Sequence, residues 1–366
     1  MQKKLIAMAV AGLVAAPVFA QSNVTIYGRV DYGYMVRYGD NGGSPDVERK
    51  SEFAPGLQAG SRLGFKGAED LGNGMKAIFQ LEFGSINNDI GAGGGIANTR
   101  NAYVGLTGGF GTVVGGHLDG VRYGVFNKYD AFGGGNVGNF TQMTAQVDRA
   151  SNAIAYISPS FNGLTATLAY STHIGTNNPL GLGTQESAGN DGDAVLNTVM
   201  LAYENGPISA NVDWERVLFN SGGAVGSTAE AVQDVKVFTV AGAYDFGVVK
   251  VSALYDILKV DTRSGFAGDV DADVRTWFVS AKAPVGAAVV VKATYGRTKD
   301  RDTSDTNASK WGIGADYNLS KRTNLYASYG TIHNDDNTAF QISPAANSQG
   351  TGLGVRGFDL GIAHKF

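Results

Sequence analysis

Apolar and polar residues alternate along much of this chain with a period of two. In the last ten residues Phe358, Leu360, Ile362 and Phe366 share one face, and Asp359, Gly361, Ala363 and Lys365 the other. Successive side chains of a strand point to opposite faces, so the pattern predicts a strand with one oily and one wet side. Near the other end Val24, Ile26, Val30, Tyr32 and Tyr34 oppose Thr25, Tyr27, Arg29 and Asp31. Met75, Ala77, Phe79, Leu81 and Phe83 oppose Lys76, Ile78, Gln80 and Glu82. Sixteen such segments are predicted, at 23–36, 61–67, 74–84, 99–107, 111–117, 149–158, 163–172, 193–204, 207–218, 233–246, 247–260, 273–283, 287–298, 309–319, 322–334 and 355–366.

The connections alternate in length. Short ones, such as 204–207, 245–247 and 283–286, alternate with long ones near 37–60, 85–98, 118–148, 173–192, 219–232, 261–272, 299–308 and 335–354. Short turns at one end and long loops at the other are the plan of an outer-membrane barrel. The predicted fold is therefore all-β, a sixteen-stranded antiparallel transmembrane β-barrel. Charged residues at mid-strand positions of the polar face suit a water-filled interior. A barrel of about 16–18 strands leaves an aqueous channel, whereas about eight strands fill their own interior. Aromatics near strand ends, among them Tyr32, Tyr34, Tyr170, Tyr203, Phe246, Trp277, Phe278, Tyr326 and Tyr329, are expected to form interfacial girdles. The longest connection, 118–148, is rich in Gly and aromatics and is expected to pack against the barrel wall and narrow the hole.

Composition supports this picture. The chain has 53 Gly, 16 Tyr and 18 Phe against 8 Pro, and no Cys. That is a strand-and-turn composition with no disulfide and no thiol chemistry. Closing a sheet into a barrel is another route to stability, because it leaves no strand edge unpaired. Residues 1–20 read as a secretory signal peptide. Lys3 and Lys4 precede an apolar run from Leu5 to Val14, and Val18-Phe19-Ala20 is a small-residue cleavage site, with Gln21 as the first mature residue. The barrel then occupies 21–366. Without the two leader lysines, 27 basic residues face 33 acidic ones, a net charge of −6. No basic stripe stands out, which argues against nucleic acid. No apolar run after the leader is long enough for a transmembrane helix.

Several blocks resemble the trimeric general porins of Gram-negative outer membranes, specifically the betaproteobacterial type. They are Val24-Thr25-Ile26-Tyr27-Gly28-Arg29-Val30-Asp31, the stretch from Ser61 to Ala77, Arg100–Leu106 followed by Gly108–Gly111, and Asn152–Gly163. The resemblance covers nearly the whole mature chain. It implies a homotrimer, a third loop (118–148) folded into the lumen, a second loop latching onto a neighbouring subunit, and contact with outer-membrane lipid and lipopolysaccharide. It also implies that the terminal Phe366 is the signal read by the outer-membrane insertion machinery.

The resemblance further implies a charged eyelet, with basic residues on the wall opposite acidic groups of the third loop. Arg62, Arg100 and Arg149 match the wall arginines by motif position, and Arg29 lies on the polar face of the first strand. Parity places Arg62 opposite in phase to Leu63 and Phe65, and Arg149 opposite to Ile154 and Tyr156, so both are expected to face the lumen. Arg100 shares phase with Ala102, Val104 and Leu106, which points it at lipid unless a bulge shifts the register or it sits at the rim. An arginine on the lipid face costs roughly 2–4 kcal/mol at the midplane. Where relatives often carry an arginine before the third loop, this chain has His117, mostly neutral near pH 7. Asp119, Lys128 and Asp130 supply the loop's charges.

Enzymatic chemistry has little support. Gly133, Gly135 and Gly138 fit a G-x-G-x-x-G pattern, but no βαβ unit surrounds them. His117, His173, His333 and His364 have no paired metal spacing, so no cofactor or metal is expected. The expected function is a passive channel for ions and small hydrophilic solutes, weakly anion-preferring. A solute-specific channel and a surface adhesin or receptor using the long loops are the alternatives.

Overall fold

The computed structural model describes residues 23–39, 49–84, 86, 98–177, 194–221, 231–263, 271–342 and 354–366. The predicted leader and parts of the long connections, including most of the second loop, lie outside the described residues.

The strands are β1 (Asn23–Tyr38), β2 (Arg49–Pro55), β3 (Arg62–Gly72), β4 (Met75–Gly84), β5 (Asn98–Gly108), β6 (Gly111–Asp119), β7 (Gln146–Ile157), β8 (Leu164–Asn177) and β9 (Ala194–Asn205). There follow β10 (Ile208–Ser221), β11 (Ala231–Asp245), β12 (Lys250–Arg263), β13 (Ala272–Val285), β14 (Val289–Asp300), β15 (Asn307–Asn318), β16 (Thr323–Asn334) and β17 (Arg356–Lys365). An α-helix, α1 (Val121–Tyr129), and a 3-10 turn (Thr141–Met143) lie between β6 and β7. All the strand pairings are antiparallel, and β17 pairs with β1, so the sheet closes on itself.

The wall is sixteen strands round, because β2 and β3 lie end to end along β1. Tyr32–Tyr38 pair with β2 and Asn23–Arg29 with β3. The segment 56–61 leaves the ladder between them, and Asp31 replaces the lost bonds. Its carboxylate accepts the backbone N–H of Gln58 (2.8 Å) and of Ala59 (2.7 Å). Its own N–H donates to Ser61 Oγ at 3.0 Å, and its carbonyl accepts from Gly56 N at 2.7 Å. Sequence alternation places 49–55 in a loop; the structure makes it the upper half of the second strand.

The two faces separate as the alternation predicts. Val24, Ile26, Val30, Tyr34, Phe358, Leu360 and Ile362 are exposed on the outer face, whereas Asp31, Asp213, Glu215, Asp256, Thr276 and Asp359 are buried on the inner one. An apolar outside and a polar inside is the arrangement of a barrel set in lipid. Two of the aromatics expected in the girdles turn inward instead. Phe278 is fully buried between Phe126 and Phe140, and Tyr326 donates its hydroxyl to Asp31 Oδ1 at 2.6 Å.

The barrel closes on the last residue. Gly28 N and Phe366 N each donate to the other's carbonyl at 3.1 Å. The ring of Phe366 lies over Gly28 so closely that a Cβ there would sit 2.3 Å from Cζ.

Candidate functional site

The site is built from two parts: a set of arginines on β1, β3, β5 and β7, and the segment 120–145, whose contacts run to residues of β9 to β17.

Arg29 and Arg62 are direct cross-strand partners in the β1–β3 ladder. Like charges in that position repel, so the arrangement needs acids and acceptors around it. Arg29 donates Nη2 to Gln58 Oε1 and lies 4.0 Å from Asp31. Gln58 in turn donates to Asp316 Oδ1 at 2.8 Å. Arg62 Nη1 is 3.7 Å from Glu82 Oε1, and Arg100 donates Nε to the same oxygen at 2.8 Å. The other Glu82 oxygen accepts the Tyr27 hydroxyl at 2.9 Å. Glu82 is thus the hub that holds Arg62 and Arg100 side by side.

Arg100 reaches this hub through a bulge. Glu82 pairs with Asn101 and Phe83 with Thr99, so Arg100 is the extra residue in β5. A bulge adds one residue to the period-two alternation, so positions on its two sides no longer share phase. Val104 and Leu106, beyond the bulge, are on the outer face, while Arg100, at the break in phase, turns inward to Glu82. Simple parity, which points Arg100 at lipid, is corrected here.

Arg149 pairs with Asp119 in the β6–β7 ladder, with Nη1 3.1 Å from Asp119 Oδ1, and its guanidinium lies 5.3 Å from the centre of the Tyr123 ring. Register shifts fall between Val147 and Arg149 against β8, and opposite Gly116–Leu118 against β6. The parity count from Ile154 therefore runs across irregular backbone. His117 sits at the second shift. Its Nε2 donates to the carbonyl of Thr99 at 3.1 Å, and its Nδ1 accepts from Ser151 Oγ at 2.7 Å, the tautomer being assigned from these partners.

Segment 120–145 begins with α1. Gly120 supplies no side-chain cap, and no acid lies in the first turn. A nine-residue helix of this kind is held by its tertiary contacts rather than by propensity. Arg122 is the principal one. It donates Nε and Nη2 to the two carboxylate oxygens of Asp256 at 2.9 and 2.7 Å, and Nη1 to the Ala145 carbonyl at 2.6 Å. Asp213, Thr239 and Asp256 stand in one cross-strand row, with Glu215 one inward position along β10 from Asp213. Arg122 places its positive charge in this buried acidic wall. The sequence reading missed it, because the row exists only once the register of three strands is known.

Further along, Phe126 and Phe140 pack on Phe278. Asp130 accepts the N–H of Phe132 (2.9 Å) and of Phe140 (2.8 Å) and the hydroxyl of Thr294 (3.2 Å). Asp130 was expected to face the channel; its carboxyl is wholly buried and staples the segment together instead. Lys128 turns towards the short-turn end, 2.8 Å from Glu204 and 3.0 Å from Asn211 Oδ1. It lies apart from the arginines.

The tip of the segment rests on glycine. Gly312, Gly330 and Gly357 are in register across β15, β16 and β17. A Cβ on Gly312 would lie 2.3 Å from the Gly138 carbonyl, and one on Gly330 2.4 Å from that of Val137. Asp359 then fixes the tip, accepting Val137 N at 2.6 Å and Asn136 Nδ2 at 3.1 Å. Asp359, expected to line the interior with Lys365, is fully buried under this contact.

The profile of the Gram-negative porin family matches residues 7–337. The chain is 32% identical over 382 residues to outer membrane porin protein 32 of Delftia acidovorans, covering 100% of both. It is 29% identical to an outer membrane porin protein of Bordetella pertussis, over 97% of this chain and 99% of that one. Among solved structures it is similar to the anion-selective porin from Comamonas acidovorans, with a TM-score of 0.75 and 28% identity, over 94% of this chain and 100% of that one.

Proposed function

This chain belongs to the Gram-negative porin family, whose members are outer-membrane barrels without enzymatic activity, and from that membership we propose a passive diffusion channel for ions and small hydrophilic solutes, weakly anion-preferring. The observation that carries the proposal is the opposition of the two parts of the site. The anchors of segment 120–145 named above, Arg149 aside, lie on β9 to β17, whereas the four arginines stand on β1, β3, β5 and β7. In this reading the segment is a loop folded into the lumen, and solutes pass between it and the arginine wall.

Counting charge supports the anion preference. Arg29, Arg62, Arg100 and Arg149 meet Asp31, Glu82 and Asp119, an excess of one positive charge. His117, held by two neutral partners, adds none. Fixed charge of one sign in a narrow passage favours the counter-ion and orients dipolar solutes. That the similar Comamonas porin is anion-selective agrees. The same reading includes a leader cleaved after Ala20, a homotrimer, and Phe366 as the residue recognised during insertion.

Liposome swelling with sugars of increasing size tests the proposal. The expected result is a rate that falls steeply with solute size and does not saturate with concentration. Saturation by one solute would replace this reading with a solute-specific channel.

A further inference from the structure

The helix α1 has two unlike sides. Its buried residues are Arg122, Val125, Phe126 and Tyr129. Their spacing of i, i+3, i+4 and i+7 puts them on one stripe of a helix with 3.6 residues per turn. That stripe meets the far wall at Asp256, Phe278 and Asn211. Tyr123 and Gly124 fall outside it. Gly124 is exposed, and a Cβ added to it would meet no atom within 4 Å. This side of the helix therefore borders open space.

Tyr123 stands at the edge of that space and reaches towards the arginines. Its ring centre lies 5.3 Å from the Arg149 guanidinium. It also acts electrostatically on both Arg62 and Arg100. A guanidinium over an aromatic face is attracted to the ring, so Arg149 steadies the tyrosine from the wall side. The side chain is half-buried, and its hydroxyl makes no hydrogen bond among the described residues. Unlike both carboxylate oxygens of Asp213, which are buried without a partner, that hydroxyl stays open.

The arginines opposite keep donors in reserve. Arg100 gives Nε to Glu82 at 2.8 Å, and Arg62 gives Nε to the Gly60 carbonyl at 3.2 Å. The Nη groups of both make no hydrogen bond among the described residues. Donors that have no acceptor in the protein thus face the space from the wall, and a hydroxyl without a partner faces it from the segment.

We infer that Tyr123 is a specificity-determining residue of the channel, and that it favours small planar oxyanions of the carboxylate class over halides. A carboxylate has two oxygens. One accepts a guanidinium N–H from the wall while the other accepts the phenol O–H from the segment. Chloride is a single atom and cannot offer a separate acceptor to each side. The ring itself fills part of the passage and limits its width. The inference rests on the channel reading above and adds which anions pass best and through which residue.

The test is the reversal potential of the purified barrel in a planar bilayer, with potassium chloride on one side and potassium formate on the other at pH 7.5. The formate-to-chloride permeability ratio of the wild type is expected to exceed that of Tyr123→Phe by about threefold, the size of one net hydrogen bond. Tyr123→Phe keeps the ring against Arg149, so its conductance in potassium chloride should equal that of the wild type. A tyrosine that merely packed on Arg149 would leave the ratio unmoved. Tyr123→Ala should show the same low ratio together with a larger chloride conductance, because no ring narrows the passage. Equal ratios in wild type and Tyr123→Phe, with both conducting alike, would overturn the inference and leave the channel reading standing. A wild type that carries no current would sink the channel reading and this inference with it.

Discussion

Arg122 and Asp256 are joined by two parallel hydrogen bonds, Nε to Oδ1 at 2.9 Å and Nη2 to Oδ2 at 2.7 Å, across 134 residues of sequence. The pair is fully buried and ties the start of segment 120–145 to the far wall. Replacing Arg122 by Ala leaves Asp213, Glu215 and Asp256 without their cation. Breaking a buried pair from one side costs about 3–5 kcal/mol. The expected outcome is a lower unfolding midpoint together with larger and noisier single-channel conductance, as the segment leaves the wall. Unchanged conductance in a folded Arg122→Ala barrel would show that the segment does not limit flow.

The glycine row predicts a second way to displace the same segment. Gly330→Leu puts a side chain where the Val137 carbonyl now lies, 2.4 Å from the new Cβ. Backbone cannot yield cheaply there, so the tip should lift. Conductance should change in Gly330→Leu, whereas Gly242→Ala, whose Cβ would meet nothing closer than 3.7 Å, should behave as wild type.

Asp119 and Asp130 separate charge from structure. Asp119 is 48% exposed beside Arg149, while Asp130 is 0% exposed. Asp119→Asn should shift the reversal potential towards stronger anion preference. Asp130→Asn should leave selectivity unchanged and destabilise the fold by about 1–3 kcal/mol, through weakened charge-assisted hydrogen bonds. Urea or heat unfolding alongside bilayer recording distinguishes the two outcomes.

Closure predicts the behaviour of the chain's end. Deleting Phe366 removes both hydrogen bonds to Gly28 and uncovers the seam. Gly28→Val forces the same ring aside. Both variants should lower the yield of heat-modifiable folded barrel in gel mobility, while each assembled pore conducts normally.

Much of the wall was legible because alternation is a local property. Val24 to Tyr34 and Phe358 to Ile362 fall outward as read, and the pairing of the first and last strands follows. What local alternation misses is backbone irregularity and distant contact. Arg100 changes face at a bulge that has no period of its own. The second strand is broken because Asp31 can bond the departing segment, a fact of three dimensions. Phe278, Tyr326, Asp130 and Asp359 each look like wall or eyelet residues by position. They are instead buried in contacts with segment 120–145 or with the break at 56–61. Glu82 was read as a polar-face residue, yet it organises two of the four arginines.

The most direct test of the channel reading is the reversal potential of the purified protein in a planar bilayer under a tenfold potassium chloride gradient. An arginine wall facing the loop predicts a potential of the sign set by chloride, modest in size, that passes through zero to the sign set by potassium in Arg62→Ala, Arg149→Ala, where two arginines meet three acids. A clear potassium preference in the wild type, or no change in the double variant, would contradict the account.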